Sequence, residues 1–278
     1  MKAAAINLIQ RGQNEQARVR ALVRFNSVMF HGLAAASFLE TAVPLHVGRL
    51  GYALAADADL RMWLEQIWWP RRAELGRQLR AYIDVTWPEF DWSGGYREFQ
   101  DNYQPLSGLE GSRARVTREV LGLCVMEAQA ALFYRALAKS ADEPQLRVLA
   151  GEAASEHAEF FEYFRARFDQ YRRRERIGFI ATLRTVNAVC RSARDHDVAI
   201  AFHALARSWT GDTIVPGLAY PEFRRRTTQF LLRHVELGPV DRLLFRSWLD
   251  HSGVHPMSQP PLQPQGRWLP IAVPAAGA

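Results

Sequence analysis

Apolar side chains recur at three- and four-residue intervals in four long stretches between residues 16 and 175. This is the spacing of helices that each bury one face. The first stretch, roughly Gln16 to Val43, aligns Leu22, Phe25, Met29, Leu33, Ala36, Glu40 and Val43, and Pro44 and Gly48 help to end it. The second, Asp59 to Val85, aligns Leu60, Leu64, Ile67, Trp68, Leu75, Leu79 and Tyr82, with a kink expected at Pro70, which has no N–H to donate. The third, Arg113 to Lys139, places Val116, Val120, Leu123, Glu127, Ala131, Tyr134 and Ala138 on one face. The fourth carries Leu146, Ala150, Ala153, His157, Phe160, Phe161, Phe164 and Phe168 and ends near Tyr171. Before it, Ser140-Ala141-Asp142-Glu143 has the form of a capping box, and Pro144 suits a first helical turn.

Thr86 to Ser112 has turn chemistry throughout and no sustained period. Its length suits a crossover between two antiparallel helical hairpins. Further amphipathic segments near Phe179 to Arg191, Val198 to Ser208, Glu222 to Val235 and Val240 to Trp248 predict additional helices packed on the bundle. The expected organisation is an N-terminal segment over 1–15, a four-helix bundle over 16–175, added helices over 176–252, and a proline-rich tail over 253–278 anchored through Trp268. Short Val/Ile/Thr runs bounded by turn residues are nearly absent, so the fold class expected is all-α.

With 278 residues, 48% of them hydrophobic, the chain can bury a sizeable core. Its net charge of +6 is carried almost wholly by arginine, since Lys2 and Lys139 are the only lysines. The runs Arg172-Arg173-Arg174-Glu175-Arg176 and Arg224-Arg225-Arg226 would attract an acidic protein partner such as an acyl carrier, or an anionic substrate, although solvated helix ends are the plainer explanation. No nucleic-acid motif accompanies them. Oligomeric state is left open, a homodimer included. Cys124 and Cys190 form neither a disulfide framework nor a zinc spacing, which suits a reducing cytoplasm. The apolar tract from Val28 to Leu45 is interrupted by His31 and Glu40, so no transmembrane segment is expected, and the N-terminus lacks the pattern of a secretory signal.

An acid centred on a core-facing stripe needs a partner, because burying a lone carboxylate costs several kcal/mol. Glu40 and Glu127 are such acids. Counting outward from a turn near 141 or 142 puts Glu127 level with His157, and counting from a connection centred near residue 51 puts Glu40 level with Glu65. Carboxylates from every helix with histidine from alternate ones are what a dinuclear iron or manganese site in a bundle requires.

The run Met126-Glu127-Ala128-Gln129-Ala130-Ala131-Leu132-Phe133-Tyr134, followed by Glu152-Ala153-Ala154-Ser155-Glu156-His157-Ala158-Glu159-Phe160-Phe161, resembles the second hairpin of the ferritin-like di-iron carboxylate superfamily, which includes ferritins and rubrerythrins. The resemblance implies a ferritin-like four-helix bundle, iron or manganese as cofactor, and Glu40, Glu65, Glu127 and His157 as its ligands. It also implies an O2-dependent oxidase or oxygenase acting on a small organic or acyl substrate in a pocket lined by Trp68, Tyr134, Phe161 and Phe164. Two positions depart from the pattern. Ala154 stands where a bridging glutamate is expected, and Glu65-Gln66-Ile67-Trp68 ends in tryptophan where histidine is expected. Glu152 and Glu156 are rotated about 140° and 100° from the His157 face and do not replace the missing acid. His203 is a remote candidate to complete an altered site. The alternatives are that Glu40 pairs with an arginine, that Glu65 is exposed, and that Glu127 and His157 form a metal-free buried pair. The chain would then be a non-catalytic ferritin-like scaffold that has lost its metal site and binds a partner.

Overall fold

A computed structural model describes residues 20–45, 47, 50, 54, 57–103, 115–209, 217–238 and 241–242. Among these, helices are joined by turns, and the only strand-like pairing is an isolated bridge between Phe90 and Trp209. The expected segments 1–15 and 253–278, with Trp268, lie outside the described residues, as does most of the helix expected from Val240 to Trp248.

Helix α1 spans Ser27–Thr41 and begins where the Asn26 side chain accepts hydrogen bonds from the Val28 and Met29 amides. An N-cap at this point separates α1 from the residues before it. Leu22 and Phe25, expected on its buried stripe, are exposed instead. Helix α2 (Ala58–Trp63), a π-helical turn (Leu64–Trp68) and helix α3 (Trp69–Thr86) follow one another without a break. The irregularity expected at Pro70 is this turn. The Trp69 amide reaches back five residues to the Leu64 carbonyl, and the proline sits just beyond, in the first turn of α3, where its missing N–H is tolerated. Leu60, Leu64, Trp68 and Arg72 consequently face inward, and Ile67 is exposed.

Residues 86–112 contain a helix that the sequence pattern concealed. Helix α4 spans Trp92–Asn102, capped by Asp91, which accepts from the Gly94 amide at 2.9 Å. Gly94 and Gly95 masked its apolar stripe of Trp92, Gly95 and Phe99. A side chain at Gly95 would place its Cβ 3.0 Å from both Phe38 and Phe90, so the glycine permits α4 to lie against α1. Helices α5 (Arg115–Ser140) and α6 (Pro144–Glu175) form the expected antiparallel hairpin. The capping residue of α6 is Glu143, whose carboxylate accepts from the Leu146 amide at 2.6 Å. Ser140, expected to cap, is the last residue of α5 and donates to the Leu137 carbonyl. The arginine run at 172–174 occupies the last turn of α6, where positive charge meets the negative end of the helix dipole. Helix α7 (Phe179–Ser192), a π-helical segment (Ala193–Val198) and helix α8 (Ala199–Ser208) are continuous, and helix α9 (Tyr220–His234) follows.

Helix α1 packs along α3, and α5 along α6. A side chain at Gly76 would bring its Cβ within 2.7 Å of the Thr41 hydroxyl and 3.3 Å of the Glu40 Cβ, so α3 approaches α1 closely just beside Glu40. The core divides into two apolar clusters. One holds Phe30, Leu33 and Phe38 with Leu75, Leu79, Leu137 and Ala150. The other holds Leu60, Leu64 and Trp68 with Val120, Cys124, Phe160 and Phe164. On α3 and α6 the division falls at Arg72 and His157. One described helix, Val116–Ser140, is long and apolar enough to cross a membrane; most of it is buried within the protein.

Candidate functional site

A layer of charged groups lies between the two apolar clusters. Glu40 from α1, Arg72 from α3, Glu127 from α5 and His157 from α6 are each at most 5% exposed. The expected proximity of Glu127 and His157 is realised: imidazole Nδ1 stands 2.5 Å from Glu127 Oε2. Glu127 Oε1 accepts from Arg72 Nη1 at 2.6 Å and from the Trp68 indole N–H at 2.8 Å. Arg72 Nε donates to Glu40 Oε2. Glu40 Oε1 accepts from the Tyr134 hydroxyl at 3.2 Å and lies 3.3 Å from His157 Nε2. All four carboxylate oxygens therefore face donors. The Tyr134 ring stacks on the imidazole, 5.2 Å between centroids with planes 15° apart.

The electrostatics follow from burial and proximity. Burial pushes the Glu40 carboxyl up, but the adjacent Arg72 and His157 cations prevail and hold it down at about 2. Glu127 is likewise lowered against its burial by Arg72 and His157. Burial alone would lower His157; the two carboxylates outweigh it and raise the imidazole to about 9. Burial pushes the Tyr134 hydroxyl up, and the Glu40 carboxylate adds to the effect. At neutral pH the layer thus contains two anions and two cations and is balanced.

Arg72 is the residue that the sequence stripe passed over. It belongs to the series Leu64, Trp68, Arg72, Leu75, Leu79, whose spacing of four, four, three and four residues is that of one helix face. That register was its available signal. Glu65 is exposed and does not join the layer. It is one residue, about 100° of helix rotation, from the inward-facing Leu64. Trp68, in the place expected for histidine, donates to Glu127. Ala154 is partly buried against the first cluster. Glu152 is exposed, and Glu156 pairs with Arg71 on the surface side. His203 is exposed and lies beside Tyr220, apart from the layer. His31 is buried on α1, with Nδ1 2.7 Å from the Ser27 carbonyl and its ring stacked on Phe202. Cys124 and Cys190 are buried and are not joined in a disulfide, and burial raises both thiols.

A cavity of about 170 Å³ adjoins the layer, bounded by α1, α3, α5, α9 and the Ala193–Val198 segment. Glu40, Arg72, Trp68 and Tyr134 reach its wall, which is otherwise largely apolar, with Leu39, Val43, Met126, Phe133 and Leu231. Of the expected pocket residues, Trp68 and Tyr134 line it. Phe161 and Phe164 do not, because α6 carries them into the second cluster, where Phe164 packs edge-on against Trp63 and Trp68.

The donors implied for a dinuclear metal do not fit that group in this arrangement. Arg72 places its nitrogens on oxygens of both Glu40 and Glu127 that metal ions would need, and His157 is committed to Glu127 through Nδ1, while its buried Nε2, 3.3 Å from Glu40 Oε1, makes no hydrogen bond among the described residues. Among the described residues, no three of His, Cys, Asp and Glu are set to hold a metal ion. Comparison with protein-family models, with curated proteins and with solved structures finds no match.

Proposed function

We propose that this chain is a ferritin-like helical bundle in which an internal salt cluster has replaced the metal layer, and that it binds a small, mainly apolar molecule in the adjoining cavity. The observation that carries this proposal is the position of Arg72 between Glu40 and Glu127. A divalent ion added to a layer already balanced by Arg72 and protonated His157 would leave excess buried positive charge, and burying unbalanced charge is costly. The cavity favours a ligand whose buried part is uncharged for the same reason. An apolar protein cavity of about 150 Å³ is sufficient for benzene, so the space beside Tyr134 and Trp68 accommodates a small ring or a short alkyl chain.

Two measurements test this function together. Metal content is determined after purification without chelator and again after anaerobic Fe(II) addition; substoichiometric metal is expected in both samples. Benzene is then added during thermal denaturation, where binding to the native state raises the midpoint. The increase is expected for the natural chain and is lost in Ala36→Phe, which fills the cavity. Stoichiometric iron that disappears in His157→Ala, or a benzene shift unchanged by Ala36→Phe, contradicts the proposal.

A further inference from the structure

The apolar cavity shares part of its wall with a second one. A space of about 210 Å³ lies between α1, α5 and α9, and Gly32, Phe133 and Thr227 border both cavities. Gly32 and Glu40 are eight residues apart on α1, or about 12 Å along the helix, so the charged layer and the shared border lie well apart along the inner cavity. The outer cavity differs in charge. Arg226, Arg233 and His234 line it, and among the described residues no Asp or Glu does. Arg226 is engaged by Glu222. Arg233 is exposed and, among the described residues, has no ion pair.

Thr227 supplies an independent indication. It is only 6% exposed, and its buried hydroxyl has no hydrogen-bond partner among the described residues. The next residue, Thr228, donates to the Arg224 carbonyl at 2.9 Å, an ordinary use of a helical threonine hydroxyl. A buried hydroxyl without a partner is costly. At the border of two cavities, a rotation about χ1 presents it to an occupant.

Resting on the assignment of the inner cavity as a small-molecule site, we infer that the occupant is a medium-chain monocarboxylate. Its alkyl chain lies inward towards Trp68 and Tyr134, and its carboxylate stays at the outer cavity between the Thr227 hydroxyl and the Arg233 guanidinium. Charge sets this orientation. The deep layer is balanced, so a carboxylate placed there would leave net negative charge buried, whereas the outer cavity presents Arg233, which has no ion pair among the described residues. The roughly 12 Å run from Gly32 to Glu40 suits an alkyl chain of about eight carbons.

The test is calorimetric titration of the full chain with octanoate and with 1-octanol near neutral pH. Both are expected to bind, octanoate about tenfold more tightly, as a charge-assisted hydrogen bond provides. Arg233→Gln, at an exposed position, should bring octanoate to the affinity of octanol while leaving octanol unchanged. Thr227→Val, close in shape to the natural residue, should weaken octanoate several-fold. If octanol binds and octanoate does not, or if Arg233→Gln leaves octanoate unaffected, the carboxylate assignment is overturned and the inner cavity stands. If neither compound binds, the small-molecule site itself is overturned and the carboxylate assignment falls with it.

Discussion

Removing the Arg72 guanidinium would leave Glu40 and Glu127 buried with only His157 to balance them. Breaking a buried ion pair by deleting one partner costs about 3–5 kcal/mol, so Arg72→Met should lower stability by that order in urea denaturation at neutral pH. Combining it with Glu40→Gln removes one unbalanced anion as well, and the double variant should recover part of the loss, giving a clear coupling energy in the cycle. The layer also sets a pH dependence. His157 is raised from 6.5 to about 9, so its contribution is complete below pH 6.5 and is lost as pH rises through about 9. The difference between the two values corresponds to about 3 kcal/mol. Glu40 is lowered from 4.5 to about 2, so its contribution is present above pH 4.5 and is lost as pH falls through about 2. Burial lowers His31, which acts in the opposite sense to His157 below pH 6.5. Stability measured across pH 6.5 to 9 for the natural chain and for His157→Gln isolates the alkaline limb, which should be absent in the variant.

Close helix approach at the charged layer depends on Gly76. Gly76→Ala would press a methyl group against the Thr41 hydroxyl and backbone nitrogen. The resulting overpacking should cost about 1–3 kcal/mol, visible as a lower thermal midpoint. At the other hairpin, Glu143→Ala removes the cap of α6 and should cost about 1 kcal/mol. The α5–α6 hairpin was the most legible element, because its short turn made residue counting reliable and put Glu127 beside His157. The layer was less legible on α3. Counting outward from the connection near residue 51 set the height of Glu65 but not the face it occupies, which the π-helical turn before Pro70 helps to fix, and an arginine among leucines did not register as core. Helix α4 was hidden by its own glycines. They weaken the apolar pattern, yet Gly95 is what allows α4 to pack on Phe38.

At the scale of the whole molecule, a charged layer separates two apolar clusters and adjoins a cavity that shares part of its wall with an arginine-lined outer one. The all-α class followed from helical periodicity together with the near absence of strand-like Val/Ile/Thr runs. The ferritin-like arrangement suggested by the second hairpin remains a proposal of ancestry, with the chemistry of the layer altered by Arg72 and Trp68. The arginine-rich surface is partly neutralised within the chain, since Glu222 takes both Arg225 and Arg226. The central claim, that these buried groups balance one another in charge and so disfavour an added metal ion, turns on the protonation of one imidazole. Nitrogen-detected NMR of His157 at pH 7.5 measures it directly. Both ring nitrogens should carry protons, with titration centred near 9 and no change on adding Zn(II); a neutral ring whose Nε2 signal shifts with the metal would contradict the claim.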